Sequence, residues 1–346
     1  MNYGDATMLI DKALLALLCK VNAINHGQAL IDWNAYVDEF NKTYSTAAAL
    51  TSAQYFYNYN RRLIAQHNLR ADRNQTTYRV AQNQFSDRRA VDFAALLPKA
   101  VYPSTSFEST PVQVADAPLS YDPRTNIGLT LTPEDQGTVC SSSWAYSVAK
   151  AVELMNALQT ANLAPQSLSA QNLINCAGSG TGCTTQVPQM AFDYLTQYAE
   201  TELVLQSEYP NNNTLAQQGM CTPPQATVTL QLTSYGRLTD GDDATLMRYV
   251  GNGIPVIVEF NFNKDAFGFM HYSSGIYQPQ TAASLTKQSS QFLVVVGYGQ
   301  DAATNLDFWL CLNSFGPQWG ENGLIRILRS STQPIANRAI FPNEIA

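Results

Sequence analysis

The sequence is short of the groups that mark several functional classes. Only 14% of its 346 residues are charged, and 27 acidic side chains against 20 basic ones give a formal net charge of −7. A balance of this sign gives no reason to expect nucleic acid as a partner. No apolar run is long enough to cross a bilayer, so no membrane span is expected. Histidine is scarce: His26, His67 and His271 are the three imidazoles available for acid–base chemistry. Neither a cofactor nor a metal is expected. Cysteine is limited to Cys19, Cys140, Cys176, Cys183, Cys221 and Cys311.

Apolar residues are not short: they make up 45% of the chain, enough for a large core. The length suits two domains, or one domain with a substantial extension. Near the N-terminus, Ala13–Cys19 is an apolar run between Lys12 and Lys20. It reads either as a secretory signal over residues 1–23, cleaved near Ala23, or as an amphipathic helix. A departing signal would take Cys19 with it. Five cysteines would remain, an odd number, leaving at least one thiol free or paired between chains. The Asn-x-Ser/Thr triplets at Asn41, Asn74 and Asn212 are candidate glycosylation sites and fit a secreted chain. The expected location is therefore outside the cell or in an endolysosomal or vesicular lumen.

The most informative stretch is Asp135–Leu158. Trp144, Val148, Ala151, Val152, Met155 and Leu158 follow the helical period, which predicts a helix with one buried face. Ser141, Ser142 and Ser143 stand where its N-cap belongs. A small polar side chain at a helix N-terminus beside a glycine-containing loop is one way to present a nucleophile, because the helix dipole favours an anion there.

Upstream, residues 31–98 read as a helical module. Trp33, Tyr36, Val37, Phe40 and Tyr44 fall at helical spacing. A second helix is predicted from about Ala47 to Leu69, with Asn60, Ile64 and Asn68 on one face. Residues 99–119 carry Pro103, Pro111 and Pro118 among Ser and Thr and read as an extended linker. The last third is strand-like. Val228, Leu230 and Leu232 alternate with polar residues; Pro255–Phe260, Phe292–Val296 and Phe308–Leu312 are apolar runs of strand length, the second closed by Gly297-Tyr298-Gly299. Met190–Tyr194 and Leu246–Val250 read as short helices.

Gln136, Gly137, Cys140 and Ser143-Trp144-Ala145-Tyr146-Ser147 resemble the active-site signature of papain-like, cathepsin L-like cysteine peptidases, Q-G-x-C-G-S-C-W-A-F-S. Tyr57, Asn60, Ile64 and Asn68 resemble the second half of that family's prodomain pattern, E-x3-R-x3-F-x2-N-x3-I-x3-N. Its Glu and Arg are replaced by Ala49 and Ala53. Ala81, Asn83, Phe85 and Asp87 match the next prodomain element, G-x-N-x-F-x-D, with Ala for Gly. Leu168–Cys176, Ser207–Pro210, Gly297–Gly299 and Trp319–Gly323 match further family blocks. The resemblance implies an α+β, papain-like two-domain fold: a helical half and a β-barrel-like half over residues 120–346. An inhibitory helical prodomain (31–98) and a linker or prosegment (99–119) precede it. It implies the disulfides Cys140–Cys183 and Cys176–Cys221, leaves Cys311 as a buried thiol, and lays the chain's own prosegment through the groove between the halves.

It also assigns the catalytic positions, and here the chain departs. Ser143 stands for the nucleophilic cysteine, Gln291 for the histidine, Asn313 for the residue that orients it, and Gln136 for the oxyanion donor. A helix terminus contributes roughly 0.3–2 kcal/mol, which lowers an acidity constant by about one unit. That helps a thiol and cannot ionise an alcohol, so a serine needs a base within reach. An amide at 291 does not titrate near neutrality. We therefore expect a neutral hydrogen-bonded chain, Ser143–Gln291–Asn313, across the two halves. His271 is the one remaining histidine near the cleft, expected as a structural residue on a strand. An extra residue separates Gln136 from Ser143, Ser141 replaces a Gly, and Phe315 replaces a Trp. After Cys183, Thr184, Thr185 and Gln186 replace the Asn-Gly-Gly that holds substrate backbone.

The expected function is that of a catalytically inactive homologue, a secreted binding or structural pseudoenzyme. Its partners would be its own prosegment, a peptide, or an active cathepsin-like peptidase. Two alternatives are an inhibitor of active relatives acting through the prodomain, and a residual hydrolase built on Ser143.

Overall fold

The computed structural model describes residues 32–97, 102, 113–177, 182–183, 186–197, 203–211, 221, 229–262, 265–278 and 290–345. Residues 1–23, Val228, Thr184, Thr185, Asn212 and most of the 99–119 linker lie outside the described residues.

The N-terminal module, expected to be a prodomain, is built on two helices, α1 (32–39) and α2 (Ala47–Asp72). Thr46 caps α2 by accepting from the Ala49 N–H at 3.1 Å. Trp33, Tyr36, Ala53 and Tyr57 form their own small core. The first aromatic run is helical only to residue 39; Phe40 and Tyr44 lie beyond the helix end. Tyr44 still stacks on Trp33 at 5.9 Å, so the spacing reflected a shared cluster rather than one continuous helix.

The amides on α2 hold the chain beyond the helix in place. Asn60 Nδ2 donates to the carbonyls of Ser86 and Arg88 at 2.9 and 2.8 Å. Asn68 donates to the Val80 carbonyl and accepts from its N–H, at 2.9 and 3.1 Å. A side-chain amide carries the same donor and acceptor as a peptide group, so it can pair with a strand as a backbone would. The strand so fixed, β1 (Tyr78–Val80), pairs antiparallel with β6 (Tyr272–Tyr277). Beyond it, α3 (Ala90–Ala95) buries Phe93.

The strands of the β-rich half and β1 of the N-terminal module form one eight-stranded sheet in the order β1-β6-β9-β8-β7-β5-β10-β4. Its strands include β4 (Leu232–Arg237), β5 (Val256–Asn261), β7 (Ser290–Gln300), β8 (Asp307–Leu312), β9 (Leu324–Leu328) and β10 (Ile340–Ile345). A two-stranded ribbon joins β2 (Leu203–Val204) and β3 (Thr229–Leu230). β7 is longer than its apolar run: it continues through Gly297-Tyr298-Gly299 to Gln300. Those glycines do not end the strand. A Cβ at Gly297 would collide with the Tyr121 carbonyl, and Tyr121 forms a β-bridge with Tyr298. The glycine permits close backbone approach instead.

The helical half comprises α4 (Pro123–Asn126), α5 (Ser143–Thr160), α6 (Ala170–Cys176) and α7 (Pro188–Gln197). The disulfides Cys140–Cys183 and Cys176–Cys221 tie its loops together. α8 (Asp243–Gly251) and α9 (Ala266–His271) lie against the sheet half. α5 was expected to bury one face. It is instead buried around nearly its whole girth from Ser143 to Leu154, because α6 and α7 cover one side and β5, β7 and β10 the other. Cys311 is fully buried and free; burial pushes its thiol pKa up, which leaves it inert. Asn41 and Asn74 are exposed, each with a positive φ, 46° and 57°.

Candidate active-site cleft

The N-terminus of α5 is placed by its surroundings. Trp144 is fully buried, and its indole N–H donates to the Gly182 carbonyl at 2.9 Å, which locks the helix start against the Cys140–Cys183 loop. Ser142 is the N-cap residue, but its hydroxyl donates to the Cys140 carbonyl at 3.3 Å and does not cap. The Ser141 hydroxyl donates to the carbonyl of Leu96 in the prodomain. Leu97 beside it is buried, so the chain leaving α3 crosses directly over the loop that precedes Ser143.

Ser143 is 0% exposed. Its hydroxyl oxygen accepts from the Phe292 backbone N–H at 3.3 Å. Gln291, the residue before, is also 0% exposed. Its Nε2 faces three acceptors: Asn313 Oδ1 at 2.8 Å, Ser314 Oγ at 3.1 Å and Gln136 Oε1 at 3.2 Å. Asn313 Oδ1 also accepts from the Ser314 N–H at 2.8 Å, which fixes the direction of that amide. Ser314 Oγ donates to Gln136 Oε1 at 2.6 Å.

The structure thus brings Gln136, Gln291 and Asn313 into one network and corrects the expected chain at its first link. Among the described residues, Ser143 makes no hydrogen bond to the Gln291 side chain. The three acceptors draw the amide nitrogen away, and Ser143 bonds to the strand backbone instead. The Gln136 carbonyl oxygen faces the network, so the position assigned as oxyanion donor offers an acceptor to its neighbours. Gln291 Oε1 and Asn313 Nδ2 are buried without a hydrogen-bond partner among the described residues.

Chemically this is a set of alcohols and amides. Each can orient a hydrogen bond and none can take up a proton near neutral pH. His271 does not fill the gap. It is fully buried as the last residue of α9, not on a strand, with Nδ1 at 3.2 Å from the Phe267 carbonyl. Its backbone carbonyl accepts from Ala81 of the prodomain at 2.8 Å. Burial pushes its pKa down to about 3. The folded chain therefore holds fewer protons here than the unfolded chain between about pH 6.5 and 3. The associated stability is present above pH 6.5 and is lost as pH falls through 3, by about 1.4 kcal/mol per pH unit. His67 shifts in the same direction, chiefly through burial. We predict that His271→Phe flattens the acid limb of a stability-versus-pH curve measured by urea unfolding; an unchanged slope would remove His271 from the account.

The sequence reading missed Ser314, and it missed the ion triad that Lys150 and Glu153 of α5 form with Glu134 of the preceding loop. Lys150 Nζ lies 2.6 Å from Glu153 and 3.1 Å from Glu134, all three nearly buried. The i, i+3 spacing of Lys150 and Glu153 was the available signal. Burial raises the Glu153 pKa to about 7. Among the described residues, no group of acidic, histidine or cysteine side chains could hold a metal ion, and no helix is long and apolar enough to cross a membrane.

Comparison with known proteins places the same segments in two family models. Residues 117–343 match the papain family cysteine protease model, and residues 33–93 match the cathepsin propeptide inhibitor domain. A cathepsin L-like proteinase of Fasciola hepatica is 30% identical over 311 residues, 86% of this chain and 88% of that one. Cathepsin L1 of Drosophila melanogaster is 28% identical over 347 residues, 95% of this chain and 89% of that one. Among solved structures, digestive procathepsin L 3 of Tenebrio molitor larval midgut superposes with a TM-score of 0.76 at 31% identity. That match covers 91% of this chain and 99% of that one.

Proposed function

The chain belongs to the papain family of cysteine peptidases and carries that family's propeptide inhibitor domain, and on that premise we propose that it is a non-catalytic member, a binding or structural protein rather than a peptidase. The observation that carries this reading is Gln291. At the position matching the family's histidine, a fully buried amide donates to Asn313 and has no lone pair basic enough to deprotonate the Ser143 hydroxyl. The family signature has a cysteine and a histidine at these two positions; this chain offers an alcohol and an amide.

The same premise bears on the prodomain. It is held to the sheet half by the β1–β6 pairing, by Asn83 donating to the Met270 carbonyl at 2.8 Å, and by Gln84 donating to the Phe315 carbonyl at 2.5 Å. With no self-cleavage available, we propose that the prosegment stays in place and the protein acts at full length. This argues against a freely acting inhibitor of active relatives, since the module would first have to leave these partners. The two disulfides support a secreted or endolysosomal setting, where such bonds persist.

The test is kinetic. The full-length protein, offered fluorogenic peptides and an activated ester, is expected to show neither a burst nor turnover above that of Ser143→Ala. Immunoblots of native material are expected to show the uncut chain. Turnover abolished by Ser143→Ala would overturn the proposal in favour of a serine-based hydrolase, and finding only mature-size protein would overturn the retained prosegment.

A further inference from the structure

Tyr102, from the stretch between the N-terminal module and the peptidase domain, docks against the sheet half. Its hydroxyl donates to Glu259 Oε2 at 2.6 Å. Glu259 stands on β5, and its other oxygen accepts from the hydroxyl of Ser290, on β7, at 2.5 Å. The Arg338 guanidinium lies over the Tyr102 ring, 4.4 Å from its centre. Arg338 is held in turn by Asp240, whose Oδ1 accepts from the Arg338 backbone N–H at 2.9 Å. The ring also packs on the core cluster that contains Ile257 and Phe292. Side chains two apart on a strand share a face, so Ile257 with Glu259 and Ser290 with Phe292 make one wall; Glu259 and Phe292 are register partners. Gln291 lies between Ser290 and Phe292, so this pocket borders the amide network of the cleft.

The chemistry of this pocket singles out a phenol. Among the described residues the Glu259 carboxylate makes no ion pair; two hydroxyls satisfy it instead, one on each oxygen. A phenylalanine ring would fill the same space and leave Glu259 Oε2 without this donor, a loss that a site built around a hydroxyl feels strongly. A phosphorylated or sulfated ring would set an anion against the carboxylate. Arg338 over the ring face favours an aromatic over an aliphatic side chain. Burial, followed by the Glu259 charge, pushes the Tyr102 phenol pKa up, so the hydroxyl keeps its proton and donates it.

We propose that Glu259, Ser290 and Arg338 form a recognition subsite for a tyrosine side chain, filled in this chain by Tyr102 and open to the tyrosine of a partner segment that displaces it. The proposal deepens the binding role given above and rests on it for its use; the chemistry of the pocket does not require Ser143 to be silent. Tyr102 need leave only its own pocket, so the exchange does not require the linker to be cut. A tethered side chain competes at an effective concentration of the order of millimolar, so a partner must bring further contacts along the groove to win. The subsite sets which residue that partner presents: tyrosine, and neither phenylalanine nor a phosphorylated or sulfated tyrosine.

The experiment uses the full-length chain with Tyr102→Ala, which empties the pocket. It is titrated with p-cresol, the side chain of tyrosine, and with toluene, the side chain of phenylalanine, following the melting midpoint and a calorimetric isotherm. The variant is expected to bind p-cresol at least tenfold more tightly than toluene, with the midpoint rising by about 2 °C at tenfold excess over Kd. Wild type, its pocket already filled, is expected to bind p-cresol at least tenfold more weakly than the variant. Adding Glu259→Met, which keeps the length and removes the acceptor, is expected to erase the preference for p-cresol. If that double variant does not fold, phenyl phosphate offered to Tyr102→Ala serves the same purpose and is expected not to bind. No binding of p-cresol by Tyr102→Ala, equal binding of toluene, equal binding by wild type, a preference that survives Glu259→Met, or phenyl phosphate binding as tightly as p-cresol would each overturn the assignment. None of these readouts involves Ser143, so their failure is distinct from a finding of peptidase activity.

Discussion

Changing Ser143 to Cys and Gln291 to His together is expected to create peptidase activity about 10² to 10⁴-fold above wild type, the usual contribution of a positioned acid–base partner. Each change alone is expected to remain within tenfold of background. Cysteine alone gains a helix terminus, which shifts a thiol from about 8.5 by about one unit, but it finds no imidazole to share its proton. Histidine alone faces an alcohol. The double variant is expected to work because the orienting residue is already in place: Asn313 Oδ1 is pinned by the Ser314 N–H and sits 2.8 Å from the side-chain nitrogen at 291. Replacing the amide also releases Gln136 Oε1 from one of its two donors, freeing that side chain to turn. The assay uses fluorogenic peptides after an added protease has clipped the linker, since Leu96 and Leu97 otherwise lie over the site. Silence in the double variant would show that the extra residue between Gln136 and Ser143 has moved the oxyanion donor beyond repair.

The second large effect is on stability. Lys150→Met is expected to destabilise the protein by about 3–5 kcal/mol at pH 8, because it leaves buried carboxylates without their cation. The effect should shrink at acid pH. Glu153 has a raised pKa in the folded state, about 7. Its favourable contribution is therefore fully present below the unfolded value near 4.5 and is lost as pH rises through 7. Without Lys150, which lowers that pKa, the folded value moves higher still, and stability falls more steeply between pH 5 and 8. Chemical denaturation of wild type and variant at pH 5 and pH 8 measures this. Equal losses at the two pH values would mean that Glu153 does not carry the charge assigned to it.

How far the sequence could be read depended on what kind of fact was asked of it. The α2 amides were visible as a spacing, and Asn60 and Asn68 do hold β1 and the segment after it. The positions that make up the cleft were legible through the family signature. What spacing could not supply was direction. Nothing in the letters says that Ser143 turns to the Phe292 N–H or that the Gln291 nitrogen turns toward Asn313, because both choices depend on backbone donors from distant strands. The polar side chains Lys150 and Glu153 fall outside the apolar positions from which a single buried face was expected. They are buried because the sheet half covers that side of α5, and Glu134, from the preceding loop, completes the charge balance there. Gly297 and Gly299 read as a stop, yet a missing Cβ serves equally to let another backbone come near, and only the position of Tyr121 decides between the two.

β1 occupies one end of the sheet, and among the described residues its only strand neighbour is β6. Were the prodomain stripped away, β6 would present a row of bare peptide groups to solvent, the template on which chains stick to one another. A prosegment kept in place, as proposed above, would therefore double as a built-in solubility cover, and a trimmed copy is expected to self-associate more readily than the uncut chain, which light scattering of the two measures.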